Sequence, residues 1–411
     1  MSHRLRPHPR RRAVAALFLG LAASLAAALP ARADFASCMT GVRADALARG
    51  ITAETFDTYA APLQPNDVLQ FVNAQPEFTT PVWDYLAGLV DDERIADGMA
   101  QMREYPNALA SAASLYGVDS YTIVAVWGVE SDYGKGFGKR NILPSLATLA
   151  CSGISRARFF ENEFIAALRI VQEGHIRADR LYGSWAGAFG HTQFMPTTFL
   201  RFAVDLDGDG RRDVVDSVPD ALASTANYLR QHGWVPGGVW GFEVRVPADY
   251  KGPSGRGHPH PMSTWAARGI TRADGKHLGE GSAALLQPAG PGGPAFLVTR
   301  NFEAIYAYNN SENYALAIAL LSDRLRGKPG IAAAWPGGMR GLTREDRREI
   351  QKLLARRGYD IGDADGVLGA KSRVAIADFQ EKSGLPRDGL ASSKVLDALR
   401  AGGGGGGLFG N

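Results

Sequence analysis

The spacing of apolar residues predicts that most of the chain between residues 34 and 326 is helical. Apolar positions recur every three or four residues, and glycines such as Gly50 and Gly117 follow the ends of these runs, as is typical of helix C-termini. The predicted helices are Phe35–Arg49, Val82–Val90, Asp92–Tyr105, Leu109–Tyr116, Ser120–Glu130, Phe159–Glu173, Pro196–Val204, Val218–Gln231 and Ala315–Leu325.

Residues 233–301 interrupt this helical pattern with short runs that are typical of strands. The runs are Phe242–Val246, Ala284–Leu286 and Ala295–Thr299, and segments rich in glycine and proline separate them. We interpret them as a small antiparallel sheet beside the helices. The predicted fold class is therefore mainly α (α+β).

The composition changes after residue 326 and divides the rest of the chain into three parts. Residues 327–340 are rich in glycine, proline and alanine, which predicts a linker. Residues 341–400 predict a compact three-helix bundle, and residues 401–411, with six consecutive glycines, predict a flexible tail. The predicted helices of the bundle are Thr343–Arg356, Lys371–Ser383 and Ser392–Leu399.

Residues 1–33 have the composition of a secretory signal peptide. Six arginines and no acidic residue accompany an apolar run, Ala13–Leu29, and the small-x-small sequence Ala31-Arg32-Ala33 follows. We therefore expect residues 34–411 to be exported, with no transmembrane segment left after cleavage. A membrane anchor in the same run and a lipid on Cys38 are the alternatives.

Charge and cysteine content narrow the function classes. Without residues 1–33 the chain keeps 39 basic residues against 42 acidic ones, so it offers no electrostatic basis for binding nucleic acid. Only two cysteines are present, Cys38 and Cys151, and an even number in an exported chain predicts a disulfide. Two separate buried thiols remain the alternative, and no histidine lies at a zinc-ligand spacing from either cysteine.

One acidic residue, Glu130, ends a strongly apolar helical run, Ile123–Val129. Glutamate is rarely buried without a reason, and burial raises the pKa of a carboxyl group toward the range that suits a general acid. The polar sequence Ser131-Asp132-Tyr133-Gly134 follows directly, as the edge of a cleft requires. An exposed glutamate at a helix end is the alternative interpretation.

Two further segments carry side chains that suit sugar recognition. Residues 183–196 are rich in glycine, which permits close backbone approach, and Gln193 offers an amide to a sugar N-acetyl group. Residues 306–314 form a polar and aromatic cluster, whose flat faces and polar edges suit sugars. Ordinary packing at a helix start explains this cluster equally well. Its candidate residues are Tyr308, Asn309 and Tyr314.

Residues 205–216 match the beginning of an EF-hand calcium loop. Aspartates occupy positions 1, 3, 5 and 9, Gly210 occupies position 6, and position 7 offers the backbone carbonyl of Arg211. Hard oxygen ligands favour Ca²⁺ over softer metals, whereas an acidic turn without metal is the alternative. The candidate ligands are Asp205, Asp207, Asp209, Arg211, Asp213 and, at the end of the loop, Asp216 or Asp220.

Taken together, these motifs resemble the lytic murein transglycosylase B family over most of residues 70–325. The matching stretches are Gln75–Phe78, Val126–Ser131, Asn141–Leu149, Phe159-Phe160, Gly187–Pro196, the Asp205 loop, Ala226–Tyr228, His232–Trp234 and Tyr308–Tyr314. Residues 342–400 separately resemble a three-helix peptidoglycan-binding domain. The stretches that carry this second resemblance are Ile350-Gln351, Gly358-Tyr359, Asp365–Gly369 and Val374–Gln380.

The resemblance implies a lysozyme-like domain that acts on peptidoglycan glycan strands in the periplasm of a Gram-negative organism. It would cleave the β-1,4 bond between N-acetylmuramic acid and N-acetylglucosamine without water and leave 1,6-anhydro ends. Glu130 would be the catalytic acid and then base, no cofactor would take part in the chemistry, and Ca²⁺ would be structural. Asp220 would close the metal loop, with Asp216 less certain. The implied substrate-binding residues are Ser131, Gln193, Tyr228, Tyr308, Asn309 and Tyr314. One departure concerns Ser155 and Arg156, which stand where the family often has two adjacent arginines.

Two alternatives to a transglycosylase remain open at this level. A lysozyme-like hydrolase would cleave the same bond with water, but it needs a second carboxylate that the sequence does not identify. A non-catalytic wall-binding protein would rely on residues 341–400 alone. Motifs for nucleophilic serine, phosphate-loop, zinc-protease and dinucleotide chemistry do not occur. We expect a monomer, and the sequence does not identify wall-remodelling protein partners.

Overall fold

A computed structural model describes residues 31–72, 80–336 and 340–402. Most of the predicted signal peptide, the stretch Gln75–Phe78 and nearly all of the predicted glycine tail lie outside the described residues. The α-helices are α1 (Ala31–Ala48), α2 (Ala53–Tyr59), α3 (Val82–Ala87), α4 (Asp92–Glu104), α5 (Pro106–Tyr116), α6 (Ser120–Ser131), α7 (Ile142–Ala150), α8 (Ala157–Gln172), α9 (Pro196–Phe202), α10 (Val218–Gln231), α11 (Met262–Ala267), α12 (Arg300–Tyr306), α13 (Glu312–Leu325), α14 (Arg344–Ala355), α15 (Ala370–Lys382) and α16 (Ser393–Ala401).

In the described part of the chain, seven short strands form two antiparallel sheets. They are β1 (Arg140–Asn141), β2 (Tyr182–Gly183), β3 (Gly241–Arg245), β4 (His260–Pro261), β5 (Thr271–Arg272), β6 (Ser282–Leu286) and β7 (Ala295–Val298). Strands β1 and β2 pair with each other, and the other five follow the order β4-β6-β7-β3-β5. The predicted small antiparallel sheet and the mainly α fold class are therefore confirmed.

The side chains of β7 point alternately to the two faces of the five-stranded sheet, and this alternation explains how the sheet joins the helical body. Phe296 and Val298 pack into the main helical core, whereas Ala295 and Leu297 pack into a smaller core around Trp265. Successive side chains of a strand point to opposite faces, so the sheet is covered on both sides. This arrangement accounts for a strand whose residues are all buried.

Helix α6 lies at the centre of the helical domain. Its residues from Thr122 to Gly128 are all buried, and it packs against α4, α5, α10 and α13. A helix that is apolar on every face cannot lie at the surface, because part of that face would be in water. The sequence pattern of α6 therefore determines its central position, and the other helices surround it.

The predicted helices agree with the observed ones to within a few residues, but four short helices are missing from the prediction. These are α2, α7, α11 and α12, each six to nine residues long. Helix α7 contains Pro144 in its first turn, where proline is tolerated, and Asn141 caps it by accepting the N–H of Leu143. Such short helices carry too few residues to show a periodic pattern.

Two regions outside the central helices are tied to the body. The sulfur atoms of Cys38 and Cys151 are bonded, which joins α1 to the C-terminal end of α7 across 113 residues. Within residues 327–340, Ile331 and Trp335 pack against the main core, and the Trp83 and Trp335 rings lie 6.2 Å apart. The abundance of glycine, proline and alanine predicts a linker, yet Ile331 and Trp335 hold the segment against the domain.

Helices α14, α15 and α16 surround a core of their own, as the sequence predicts for residues 341–400. Ile350, Leu354, Ile376 and Leu396 are fully buried in that core. Thr343 caps α14 through a reciprocal capping box with Asp346.

Among the described residues, no single helix is long and apolar enough to cross a membrane. Helices α5 and α6 reach the required length and composition only as a pair, which is bent by 111°.

Candidate active site

The end of α6 carries Glu130 and is followed by an unusual turn. Asp119 caps the start of the helix, and Asp132 and Tyr133 after its end adopt left-handed conformations with φ of 51° and 58°. This turn folds the Tyr133 ring back over Gly128, where a Cβ atom would lie 2.6 Å from the ring. Gly128 is therefore required for the turn that follows Glu130.

The environment of Glu130 favours a neutral carboxyl group. Burial raises the pKa of Glu130 to about 8, and a hydrogen bond that the Tyr314 hydroxyl donates to Oε1 partly opposes this rise. The residue keeps some exposed surface, so a ligand has access to it. At pH 7 the carboxyl group holds its proton, which is the state that a general acid requires.

Three tyrosines surround this carboxyl group. The Tyr308 ring lies 6.2 Å from that of Tyr314 and 4.6 Å from that of Tyr228. Burial and the nearby Glu130 carboxylate raise the pKa of all three phenols, to about 12 for Tyr228 and further for the other two. The phenols remain protonated at neutral pH and are available as hydrogen-bond donors.

Backbone carbonyls fix two of these tyrosines in place. The Tyr308 hydroxyl donates to the carbonyl of Thr192, and the Tyr228 hydroxyl donates to that of Ala307, both at 2.8 Å. The structure therefore places the three predicted tyrosines in one cluster beside Glu130. Tyr308 and Tyr314 lie 80 and 86 positions after Tyr228 in the chain, so the fold brings separate segments together in this cluster.

Gln193 lies in the glycine-rich loop and has a left-handed backbone with φ of 48°. Its side-chain nitrogen donates to the carbonyls of Phe137 at 3.2 Å and Gly190 at 2.9 Å. The sequence assigns the amide to a sugar N-acetyl group without saying which end makes the contact. Because both N–H groups are used within the protein, only the side-chain oxygen remains to accept a hydrogen bond from a ligand.

The structure gives Ser131 a different role from the predicted contact with substrate. Its side chain is buried, and its hydroxyl donates to the carbonyl of His191 at 2.9 Å and accepts the N–H of Gly134. These bonds fasten the end of α6 to the glycine-rich loop. A side chain as deeply buried as that of Ser131 does not reach a ligand. Asn309, in contrast, is exposed and directly follows Tyr308 of the tyrosine cluster.

His191, which packs against Trp127 of α6, is a residue that the sequence patterns did not identify. Its Nδ1 accepts a hydrogen bond of 2.9 Å from the Trp127 indole, and the Phe137 ring lies 4.6 Å away. Burial lowers the pKa of His191 to about 4, so the ring is neutral and carries its proton on Nε2. A histidine between Gly190 and Gln193 marks the loop, but only the fold shows that it supports α6.

The acidic loop brings together part of the predicted ligand set. Carboxylate oxygens of Asp205, Asp207 and Asp209 lie within 4.8 Å of one another. Asp220 is buried and accepts the backbone N–H groups of Leu206 and Asp213, at 2.7 and 2.8 Å. A cluster of hard, charged oxygens held by an ordered backbone fits a Ca²⁺ ion.

Two predicted ligands point elsewhere. The Asp216 carboxylate pairs with the Arg180 guanidinium, so the structure does not bring it to the three clustered aspartates. Asp213 is buried and accepts the N–H groups of Val215 and Asp216, which orders the turn at the end of the loop. The Asp216 and Arg180 side chains are both about half exposed, so the arginine competes with a metal ion for this carboxylate.

A mainly helical domain with a small antiparallel sheet and a desolvated carboxyl group among tyrosines defines the lysozyme-like class of proteins. Residues 34–323 match the family model described as the transglycosylase SLT domain, and residues 343–399 match the putative peptidoglycan binding domain. The chain belongs to the transglycosylase SLT family and carries a C-terminal peptidoglycan-binding domain.

Relatives with known names or structures agree with this assignment. The chain is 34% identical over 237 residues to the membrane-bound lytic murein transglycosylase B of Escherichia coli, an alignment that covers 57% of this chain and 64% of that protein. The crystal structure of SltB3 from Pseudomonas aeruginosa in complex with NAG-NAM-pentapeptide is 45% identical, with a TM-score of 0.71. The match covers 89% of this chain and 99% of the SltB3 chain.

A second solved structure is more distant. The Escherichia coli lytic transglycosylase Slt35 in complex with calcium is 30% identical, with a TM-score of 0.63, over 70% of this chain and 92% of that one.

Proposed function

We propose that this protein is a lytic transglycosylase that cleaves the β-1,4 bond between N-acetylmuramic acid and N-acetylglucosamine in peptidoglycan. The observation that carries the proposal is the desolvated carboxyl group of Glu130, which lies at the end of α6 and accepts a hydrogen bond from the Tyr314 hydroxyl. SltB3, to which this chain is similar, has been solved with NAG-NAM-pentapeptide and with NAG-anhNAM-pentapeptide. The second ligand contains the anhydro sugar that such a reaction forms.

The mechanism uses one carboxyl group twice. Glu130 donates its proton to the glycosidic oxygen, the bond to the anomeric carbon breaks, and the substrate's own N-acetyl oxygen stabilises the positive charge. The Glu130 carboxylate then takes the proton of the muramic C6 hydroxyl, whose oxygen bonds to the anomeric carbon. The products are an N-acetylglucosamine end and a 1,6-anhydro end, Glu130 is protonated again, and no water is consumed.

The pKa of about 8 serves both steps. A carboxyl group with this pKa is protonated before the reaction at neutral pH and becomes a stronger base than an ordinary carboxylate once it has lost its proton. Tyr314 stabilises the ionised form between the two steps, because its hydroxyl donates to Oε1. We assign sugar contacts to Gln193, Tyr228, Tyr308 and Asn309, with the Gln193 oxygen as an acceptor for an N-acetyl N–H.

Hydrolysis and binding without catalysis are the competing functions. Burial and the Tyr314 hydroxyl account for the pKa of Glu130, and no second carboxylate contributes among the described residues. A retaining or inverting hydrolase usually needs two carboxyl groups. The arrangement around Glu130 therefore supports the transglycosylase.

Mass spectrometry of peptidoglycan digested with residues 34–411 tests the proposed function. We expect muropeptides that end in anhydromuramic acid and are one water lighter than reducing ends. Reducing ends would instead establish a hydrolase. Intact sacculi that retain the bound protein would establish a wall-binding protein.

Replacing Tyr314 by phenylalanine should change the pH dependence of cleavage. In the wild type, kcat/KM should fall as the pH rises through about 8, because the acid is then ionised. Tyr314→Phe removes the hydrogen bond that lowers the pKa of Glu130, so this descending limb of the pH profile of kcat/KM should move to higher pH. The value of kcat should fall roughly tenfold. Tyr182→Phe, at an exposed tyrosine, is the control, and an unmoved limb in Tyr314→Phe would contradict the role of Tyr314.

We further propose a structural Ca²⁺ ion in the acidic loop. Asp205, Asp207 and Asp209 would hold it together with the Arg211 carbonyl, and Asp220 would order the loop backbone. The loop belongs to a segment different from the one that carries Glu130, so the ion would take no part in the chemistry. The calcium complex of Slt35, to which this chain is similar, supports the assignment.

Calcium should therefore raise the melting temperature. At a hundredfold excess over the Kd, the ion should add about 2.7 kcal/mol to the free energy of unfolding, which corresponds to roughly 5–10 °C. Thermal melts in Ca²⁺ and in chelator measure this shift. Asp205→Asn should reduce it, whereas Asp274→Asn, at an aspartate outside the loop, should retain it. An equal melting temperature in both media would exclude the site.

We also propose that the protein acts in the periplasm and that residues 341–400 hold it on the wall. Residues 1–33 support export, and the match of residues 343–399 to a peptidoglycan-binding family supports the second role. A tethered binding unit raises the local concentration of the enzyme at its substrate. The bond between Cys38 and Cys151 supports an oxidising compartment and leaves Cys38 without a free thiol for a lipid.

A further inference from the structure

The turn after Glu130 needs support from outside α6. Asp132 and Tyr133 both have left-handed backbones although neither is glycine, a conformation that persists only where surrounding groups enforce it. Tyr133 is held within the domain, because its ring is buried against Trp127 and its hydroxyl donates to the carbonyl of Arg94 at 2.9 Å. The support of Asp132 comes from two different parts of the chain.

Two arginines hold the Asp132 carboxylate. Arg94 of α4 lies 3.2 Å from Oδ1 and also donates to the carbonyl of Gly128 in α6. Arg344, the first residue of α14, donates to both carboxylate oxygens at 3.2 Å. A bidentate contact of this kind fixes orientation as well as distance. The second arginine belongs to the C-terminal unit, 212 residues further along the chain.

The contact of Arg344 is part of a wider ionic interface. Its side chain is only 13% exposed and also lies 3.3 Å from Glu93. Arg348, one turn further along α14, pairs with Glu93 at 2.6 Å, and Arg347 donates to the Asp84 carbonyl at 3.1 Å. Three arginines on one face of α14 thus meet the acidic surface formed by α3, α4 and the turn after Glu130.

We propose that Arg344 is a positioning residue for Glu130. By holding Asp132, the docked C-terminal unit keeps the end of α6 in the geometry that brings the Glu130 carboxyl group to the Tyr314 hydroxyl. The C-terminal unit then supports turnover directly, in addition to binding the wall. This inference rests on the proposed function of Glu130.

The test uses a soluble, uncrosslinked glycan chain of a few disaccharides, which requires no retention on the wall. Arg344→Ala should lower kcat about tenfold and leave KM within about twofold, and Arg344→Lys should recover part of kcat. Arg387→Ala, in the same unit but paired with Glu381 at the surface, should leave both constants unchanged. A wild-type kcat in Arg344→Ala, with activity lost only on sacculi, would overturn the proposal.

A double-mutant cycle separates positioning from general destabilisation. Asparagine tolerates the left-handed backbone, so Asp132→Asn removes the charge without removing the turn. If Arg344 acts through Asp132, adding Arg344→Ala to Asp132→Asn should lower kcat by less than twofold. A further tenfold loss in the double variant would show that Arg344 acts through another contact.

Hydrogen exchange provides a readout that does not depend on activity. The amides of Gly134, Lys135 and Gly136 donate to carbonyls of Ser131 and Asp132, so they report on the turn. In the Arg344→Ala variant the hydrogen-exchange rate of these amides should rise at least tenfold, whereas in the Arg387→Ala variant it should not change. A wild-type enzyme that fails to cleave the glycan would refute the proposed function, whereas unchanged exchange in Arg344→Ala would refute the coupling.

Discussion

Replacing Glu130 by glutamine should lower the rate of peptidoglycan cleavage roughly 1,000-fold or more. Glutamine has nearly the same shape, but its amide N–H groups are too weakly acidic to protonate the glycosidic oxygen, and its carbonyl oxygen is too weakly basic to take a proton from the C6 hydroxyl. General acid or base catalysis contributes about 10²–10⁴ in a single step, and Glu130 serves in two. The large expected effect follows because the proposed mechanism assigns both proton transfers to Glu130.

The same substitution should leave the fold intact. Burial raises the pKa of Glu130 to about 8, so the carboxylate that is ionised in the unfolded chain must take up a proton when the protein folds at neutral pH. A neutral amide does not have this cost. We therefore expect an equal or higher melting temperature for Glu130→Gln. The release of anhydro-muropeptides, measured by mass spectrometry, gives the rate. Glu54→Gln, at an exposed residue of α2, is the control, and a folded Glu130→Gln variant with a tenth of the wild-type rate would contradict the mechanism.

Reduction of the bond between Cys38 and Cys151 should destabilise the catalytic domain by about 3–5 kcal/mol. The bond closes a loop of 113 residues, and constraint of the unfolded chain increases with loop length. For a domain of this size the loss corresponds to a decrease of roughly 5–15 °C in melting temperature. The bond joins α1 to the end of α7, so its loss should release α1 first.

Thermal melts with and without reductant measure the effect, and thiol titration establishes that the bond is broken. The double variant Cys38→Ser, Cys151→Ser should melt at the temperature of the reduced wild type and should not respond to reductant. A fully reduced wild-type protein that melts at the oxidised temperature would show that packing alone holds α1 in place.

Much of the fold follows from local sequence patterns. Each long helix has enough turns to show its buried face, and α10 begins and ends where the pattern predicts. Helix α13 begins three residues earlier than predicted because Ser311 caps it by accepting the N–H of Tyr314. The short helices and the two-residue strands depend on neighbouring elements, since they contain too few residues to be stable alone.

The same distinction between local and long-range partners applies to the candidate site. Residues close together in sequence, such as Asp205, Asp207 and Asp209, could be grouped by spacing, and the structure does bring them together. Spacing could not show that Asp216 faces Arg180, or that the Ser131 hydroxyl bonds to the backbone of His191. These partners lie on other elements, and the competition between a ligand and an internal partner is decided in three dimensions.

The sequence by itself determined that α6 is buried and that it ends in a carboxyl group, because apolar residues on every face of a helix have no stable place in water. Only the tertiary structure decided what that carboxyl group becomes. Tyr314 reaches Glu130 from 184 residues away, and Arg344 reaches the following turn from the C-terminal unit. Desolvation and hydrogen bonding act over a few ångströms, so the pKa of Glu130 depends on which residues the fold brings that close.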